Sequence, residues 1–398
     1  MDSSTTGLAS VSGRHSHQAA APATKVAAMN AHSATQTLTR AVLRGDGGRD
    51  RCGWGGMAAD DNDAMTSSAS ESALPTALPP ALNSSAHEGG ICRLEHWGLI
   101  LATGPDATSF LQGQLTQDML HWAEGQAKLA GYCSAKGRLL ATLTAWRVGP
   151  EQVALACSAD LLAPTLKRLS MFVLRAKCKL TSGEGLWALY GMSGPAADRW
   201  LADTCRAQQV PQGAWQVLAL GADASAIRLP SGTSDSRWLL VQPASLPAPA
   251  LPALDRSTWD WLEVRAGVAR VVAATVEQFV PQMVNLELTA GVSFQKGCYP
   301  GQEVVARSQY RGTLKRRMFL MTADGPLQAG QEVHHSSDPD QPAGLVVLAA
   351  AIPKDGAGRY LALVECKSAL VAAEGQITAG DVRLQPEALP YPLPLEPV

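Results

Sequence analysis

The chain has 398 residues, 46% of them apolar and 17% charged, with a formal net charge of −2. That length suffices for two or three domains with packed cores, and the near-neutral balance excludes both a global basic field for nucleic acid and an acidic solvating tail. The eight cysteines are dispersed, with no Cys-x-x-Cys pair and no His-rich cluster beside them, which argues against a disulfide scaffold or a local zinc knuckle.

Residues 1–90 are rich in Ala, Ser, Thr and Gly and follow neither a strand nor a helix period, so a disordered tail is expected. Its first part is acid-poor and carries Arg and Ser, a faint likeness to a transit peptide. A flexible tail or a misplaced start codon, with Met57 or Met65 as later candidates, is the preferred reading. Reduced thiols without a secretory signal fit the cytoplasm, and no window reaches the roughly 18 unbroken apolar residues of a membrane helix. Residues 92–102 then read as a strand pair. Ala107, Phe110, Leu111 and Leu115 share one face of a helix with Pro105 in its first turn. A hairpin over 132–148 turns at Lys136-Gly137, where glycine supplies positive φ, and a strand at 152–157 extends that sheet. Asp160 is placed as the cap of a helix carrying Leu161, Leu162, Leu166 and Leu169. A strand at 177–182, another at 187–192 and a helix opened by Gly194-Pro195 follow. This mixed order predicts an α+β domain over 91–243. The prolines of 244–252 suit an extended connector into a central segment, 244–317. Short apolar runs at 318–321, 345–349, 360–365 and 382–384 predict a small β-barrel over 318–398.

The run Lys296-Gly297-Cys298-Tyr299-Pro300-Gly301-Gln302-Glu303 carries the most chemistry. Glycines on both sides of a thiol let the chain turn and present sulfur at a surface. If the backbone is extended there, Lys296 and Cys298 share a side, and the ammonium favours thiolate. The same residues also suit a buried structural cysteine in a glycine turn, and spacing alone does not separate the two. One thiol cannot supply the set of thiolates that holds an iron–sulfur cluster. His334 and His335 point to opposite faces of a strand, so no metal site is expected there. The basic run 310–317 reads as a solvated loop, with an anionic ligand tail or an acidic protein as functional alternatives. Direct nucleic-acid binding is not expected, because no aromatics are interleaved with its charges.

Residues 279–287, the run 292–307 with Arg307 at its end, 261–267, 104–118 and 132–138 together resemble the folate-binding YgfZ family of iron–sulfur cluster maintenance factors. The likeness spans from about residue 95 to the end. It implies a fold shared with the T-protein aminomethyltransferase of the glycine cleavage system, a three-domain ring around a folate-sized hole. It also implies tetrahydrofolate as ligand, with iron–sulfur enzymes or assembly proteins, including those that modify transfer RNA, as partners. The family cysteine matches Cys298. Glu263, Arg265, Gln282 and Asn285 are candidate contacts for the pterin edge or the glutamate tail, and each also suits a purely structural role. The T-protein's catalytic carboxylate follows a Gly-Gly turn, and the corresponding residues 135–146 contain no Asp or Glu. Aminomethyl transfer would lack its general-base and electrostatic support. Three readings remain at this point: a folate-binding factor with a reactive cysteine, a one-carbon transferase, and a thiol catalyst for which no His partner is evident.

Overall fold

The computed structural model describes residues 88–205, 209–221, 223–310 and 314–394, which all fall in one compact unit. Nearly all of the expected tail, and residues 311–313 of the basic run, lie outside them.

The first strands are β1 (Gly90–Arg93) and β2 (Trp97–Thr103), then helix α1 (Ala107–Gln112), β3 (Ala127–Cys133), β4 (Leu139–Gly149), β5 (Gln152–Ser158), α2 (Leu162–Met171), β6 (Lys179–Ser182), β7 (Trp187–Ser193), α3 (Gly194–Thr204), β8 (Val217–Ala219), β9 (Ser225–Leu229) and β10 (Arg237–Pro243). They form two antiparallel five-stranded sheets, ordered β3-β4-β5-β2-β6 and β1-β7-β10-β9-β8. The expected strand pair thus exists as two strands that do not pair: β1 joins β7, and β2 joins β5 and β6. Local sequence cannot signal this, because the partners of both strands lie far downstream.

Strand β2 shows why its apolar run is unbroken. Ile100 and Ala102 enter one core with Leu143, Leu155 and Cys157, while Leu99 and Leu101 enter a second with Leu189, Ile227 and Leu239 of the other sheet. A sheet covered on both faces needs apolar side chains on both. The outer face of the second sheet is closed by α3, whose Ala197 and Leu201 pack with Met192, Trp238 and Leu240. Each fully buried leucine contributes about 1.5–3 kcal/mol.

Two local details differ from expectation. Helix α1 starts after Pro105, with Asp106 at its N-cap position, and is a short helix from which Leu115 packs separately. Asp160 sits in a 3₁₀ turn, and its carboxylate accepts from the backbone N–H of Ala273 at 2.8 Å rather than capping α2. The hairpin is as expected, with Gly137 at φ +69°.

In the central segment, α4 (Arg256–Arg265) buries Trp259, Trp261, Leu262 and Val264. Gly191 of β7 admits the Trp259 ring, since a Cβ there would lie 2.5 Å from it. Helix α5 (Gln302–Tyr310) follows the motif loop. The last strands, β11 (Arg316–Ala323), β12 (Glu332–His335), β13 (Asp338–Ala351), β14 (Tyr360–Lys367), β15 (Ile377–Ala379) and β16 (Val382–Glu387), with the short helix α6 (Ser368–Ala372), close into a barrel ordered β11-β14-β13-β12-β15-β16. Helix α4 packs on β13 and β14, and Tyr391, beyond β16, donates its hydroxyl to the Gly267 carbonyl at 2.7 Å. Among the described residues no helix is long and apolar enough to cross a membrane.

Candidate functional site

A cleft opens where the two sheets meet the central segment. Its walls include Trp97, Thr142 and Thr144 of the first sheet, Arg237 of the second with the nearby Trp215, and Glu263, Val268 and Arg270 of the central segment. Its enclosed cavity volume is about 30 Å³, and it opens to solvent at its mouth. Its electrostatic centre is Glu263, which accepts from Arg270 Nε at 2.7 Å and Nη2 at 3.3 Å. Burial works to raise the Glu263 pKa, but Arg270 and then His96 outweigh it and hold the carboxyl well below the usual range. Burial pushes the Arg237 guanidinium down to about 10, against the pull of Glu263. That guanidinium also stacks 4.9 Å from the Trp259 ring.

His96, Asp260 and Glu263 bring three ligand-type atoms within 4.8 Å of one another. Both carboxylates are already engaged by guanidinium groups, Asp260 by Arg256 at 2.7 Å and Glu263 by Arg270, so the cluster is an ion-pair network with little charge left for a cation. Two lining residues carry donors buried without partners, Trp97 Nε1 and Arg237 Nε. Unpaired buried donors are costly, and a ligand bearing acceptors would satisfy them. A pterin, with its carbonyl and ring nitrogens, has that chemistry, and Glu263 with Thr144 offers acceptors to its amino edge, the Thr142 hydroxyl already accepting from Val271 N at 3.0 Å.

Of the four folate candidates only Glu263 lines this cleft. Arg265 is buried against the backbone of Gly232, with Glu387 as its opposing charge. Gln282 donates to the Val305 carbonyl at 2.8 Å. Asn285, at φ +55°, donates to Met318 O at 2.7 Å and to the Tyr391 hydroxyl at 3.3 Å. These two amides staple the central segment to α5 and to the barrel. Trp97, Arg237 and Arg270 were not selected from sequence. Arg270 carried a faint signal, a second arginine shortly after Arg265 across a glycine break, whereas Trp97 and Arg237 reach the cleft only through tertiary folding.

The motif loop is a separate construction. Residues 293–299 are irregular and bent rather than extended, because the loop is held by side chains and turns instead of a partner strand. Lys296 is buried and donates its ammonium to the carbonyls of Gln112 and Leu115 at the end of α1. It also lies 4.9 Å from the ring of the buried Tyr299. Burial pushes the Lys296 pKa down to about 8, with the charges of Asp118 and Cys298 pulling it back up. Gly301, at φ +80°, rests on the β3–β4 turn so closely that a Cβ would meet Ser134 O at 2.4 Å. Gly297 has no positive φ and no neighbour in the way, so only one of the two flanking glycines is sterically required. Beyond them Gln302 opens α5, on which Glu303 pairs with Arg307 at 2.6 Å on the surface.

Cys298 is the one exposed cysteine among the described residues. Burial pushes Cys92, Cys133 and Cys157 up to about 12 and Cys366 up to about 11, so those sulfurs stay protonated and inert.

Sheets stacked against a central segment and followed by a closed barrel define a protein of the GCVT class. The family described as the GCVT N-terminal domain matches residues 82–226. The glycine cleavage system aminomethyltransferase T from Bartonella henselae has the same fold, with a TM-score of 0.57 at 18% identity over 76% of this chain and 86% of that one. Within the class, the tRNA-modifying protein YgfZ of Vibrio vulnificus strain YJ016 is 31% identical over 59% of this chain and 70% of its own length. That of Klebsiella pneumoniae strain 342 is 31% identical over 66% and 81% respectively. The chain belongs to the YgfZ family.

Proposed function

We propose that the chain is a folate-binding factor that supports assembly or repair of iron–sulfur enzymes, including ones that modify transfer RNA, through the thiol of Cys298. The observation that carries this reading is the pairing of a cleft with unpaired buried donors near Glu263 and, among the described residues, one exposed thiol on a loop anchored by Lys296. Tetrahydrofolate would be held through its pterin by Glu263, Trp97, Arg237 and the Thr144 hydroxyl, with Arg270 fixing the carboxylate. The relatives' name as tRNA-modifying proteins fits a client among cluster-dependent RNA-modifying enzymes. Residues 135–146 carry no carboxylate, and β4 presents Thr142 and Thr144 to the cleft, which favours binding without aminomethyl transfer.

The test has two arms. Calorimetry with tetrahydrofolate is expected to give binding that Cys298→Ala leaves intact. In cells lacking the endogenous protein, the wild type is expected to restore cluster-dependent tRNA modification and Cys298→Ala to restore none. Full rescue by the alanine variant removes the cysteine role, absence of binding heat removes the folate role, and turnover of an aminomethyl-lipoyl carrier would replace both with a transferase.

A further inference from the structure

Between Leu161 and Gly183 the sequence has five cations, Lys167, Arg168, Arg175, Lys177 and Lys179, and no Asp or Glu, in a chain whose net charge is −2. These residues form α2, the turn after it and β6, and all five are exposed. Among the described residues none of the five makes a salt bridge. In their midst three large apolar side chains face solvent: Met171 at 65% exposure, Phe172 at 43% and Leu174 at 87%. Leu174 is held at φ +39°, a left-handed conformation that an ordinary L-residue adopts at a cost of about 1–2 kcal/mol. An apolar residue in a strained turn, exposed to water and flanked along the chain by cations, contributes nothing to the core.

The position of this turn is informative. The backbone of Lys177 and Asp106 exchange hydrogen bonds, Asp106 N to Lys177 O at 3.2 Å and Lys177 N to Asp106 Oδ2 at 2.7 Å, at the start of α1. Lys296 grips the carbonyls at the other end of α1. A helix of that length spans roughly 9 Å, so the basic, apolar turn and the Cys298 loop flank one short element.

We propose that the turn 171–179 with the outer face of α2 is the docking surface for a partner protein that presents acidic side chains around an apolar patch, and that this docking delivers the partner to Cys298. The assignment rests on the reading of Cys298 as acting on a client enzyme. Charge complementarity selects an acidic partner, and Met171, Phe172 and Leu174 supply the apolar anchors such an interface needs at its centre. Nucleic acid is the poorer fit, since the patch offers a single aromatic ring, Phe172, where single-strand binding stacks successive bases on several. An anionic membrane would match the charge but would bring Cys298 no protein substrate.

The experiment takes the purified full chain and the apo form of a cluster enzyme whose cellular activity falls when the chain is missing, and measures their binding at low and high salt. Leu174→Asn suits the left-handed turn better than leucine and so keeps the fold. Arg175→Glu with Lys167→Glu reverses exposed charges that make no ion pair. Each is expected to weaken binding at least tenfold and to lose rescue in cells, while Cys298→Ala binds as wild type and still fails to rescue. Salt is expected to weaken the wild type and to affect the charge-reversed variant less. Vesicles of phosphatidylserine in phosphatidylcholine and unmodified transfer RNA are the parallel probes. Binding of either that Leu174→Asn abolishes, with enzyme binding unchanged, overturns the assignment in favour of that occupant. Patch variants that rescue fully while Cys298→Ala does not overturn the docking surface alone. If Cys298→Ala also rescues, the underlying function fails and the docking surface with it.

Discussion

The cleft and the motif loop use buried charge in opposite ways. In the cleft, Glu263 is met by guanidinium and imidazole groups, so charge is neutralised in place and donors are left over for a ligand. In the loop, Lys296 faces no carboxylate within ion-pair reach among the described residues; two backbone carbonyls and an aromatic ring receive it, and burial lowers its pKa. On the proposed function, the cleft recognises the ligand and the loop holds one thiol in position, so binding and reaction should separate under mutation.

The largest expected effect tests the cleft side. Arg270→Met leaves Glu263 without its main partner, and breaking a buried pair in this way costs about 3–5 kcal/mol. Chemical denaturation should show that loss, and calorimetry should show loss of tetrahydrofolate binding. Next is Lys296→Met, which strips the donor from two carbonyls at the end of α1 and should cost about 1–3 kcal/mol while leaving folate affinity unchanged. Equal loss of folate binding in this variant would break the proposed separation. A smaller effect appears in acid. Because the Glu263 carboxyl is held below its ordinary 4.5, the unfolded chain binds a proton there that the folded chain does not as pH falls below that value. The stability Glu263 contributes is therefore complete above about pH 4.5 and is lost as pH drops through the folded value. Glu263→Gln should flatten the acid limb of a stability–pH curve; an unchanged limb would show that other carboxyls dominate it. Finally, brief alkylation of the native protein followed by peptide mapping should label Cys298 ahead of the other six described cysteines. Labelling of Cys133 or Cys157 at a similar rate would contradict the burial that keeps them inert.

Much of the fold was legible where the information is local. The Lys136-Gly137 turn fixes its hairpin, and the apolar runs separated by Gly, Pro and Asp mark the barrel strands. What escaped is what depends on distant partners. Nothing near residue 92 says that β1 and β2 go to different sheets, and nothing near Asp160 says that its carboxylate will meet Ala273. The candidate site divides in the same way. Cys298 was marked by its glycines and its family motif. The cleft is assembled from separate stretches of chain, so Glu263 alone was singled out in advance, while Gln282 and Asn285, polar residues in the right neighbourhood, serve as staples. Lys296 was noticed for its charge, yet the structure shows the burden of that charge falling on α1.

The split between β1 and β2 bears on how the chain is made. Gly90 pairs with Ser193, and Ile91 also bonds to Pro252, so β1 leaves the ribosome long before anything it can zip to. The sheet of β2 to β6 is complete by Ser182 and can form first, with β1 trailing from it as an unpaired edge until β7 arrives. A stalled or truncated product ending between those points would carry a finished sheet with one apolar face bare and the other covered only in part by α1 and α2, a form that chaperones hold and proteases clear.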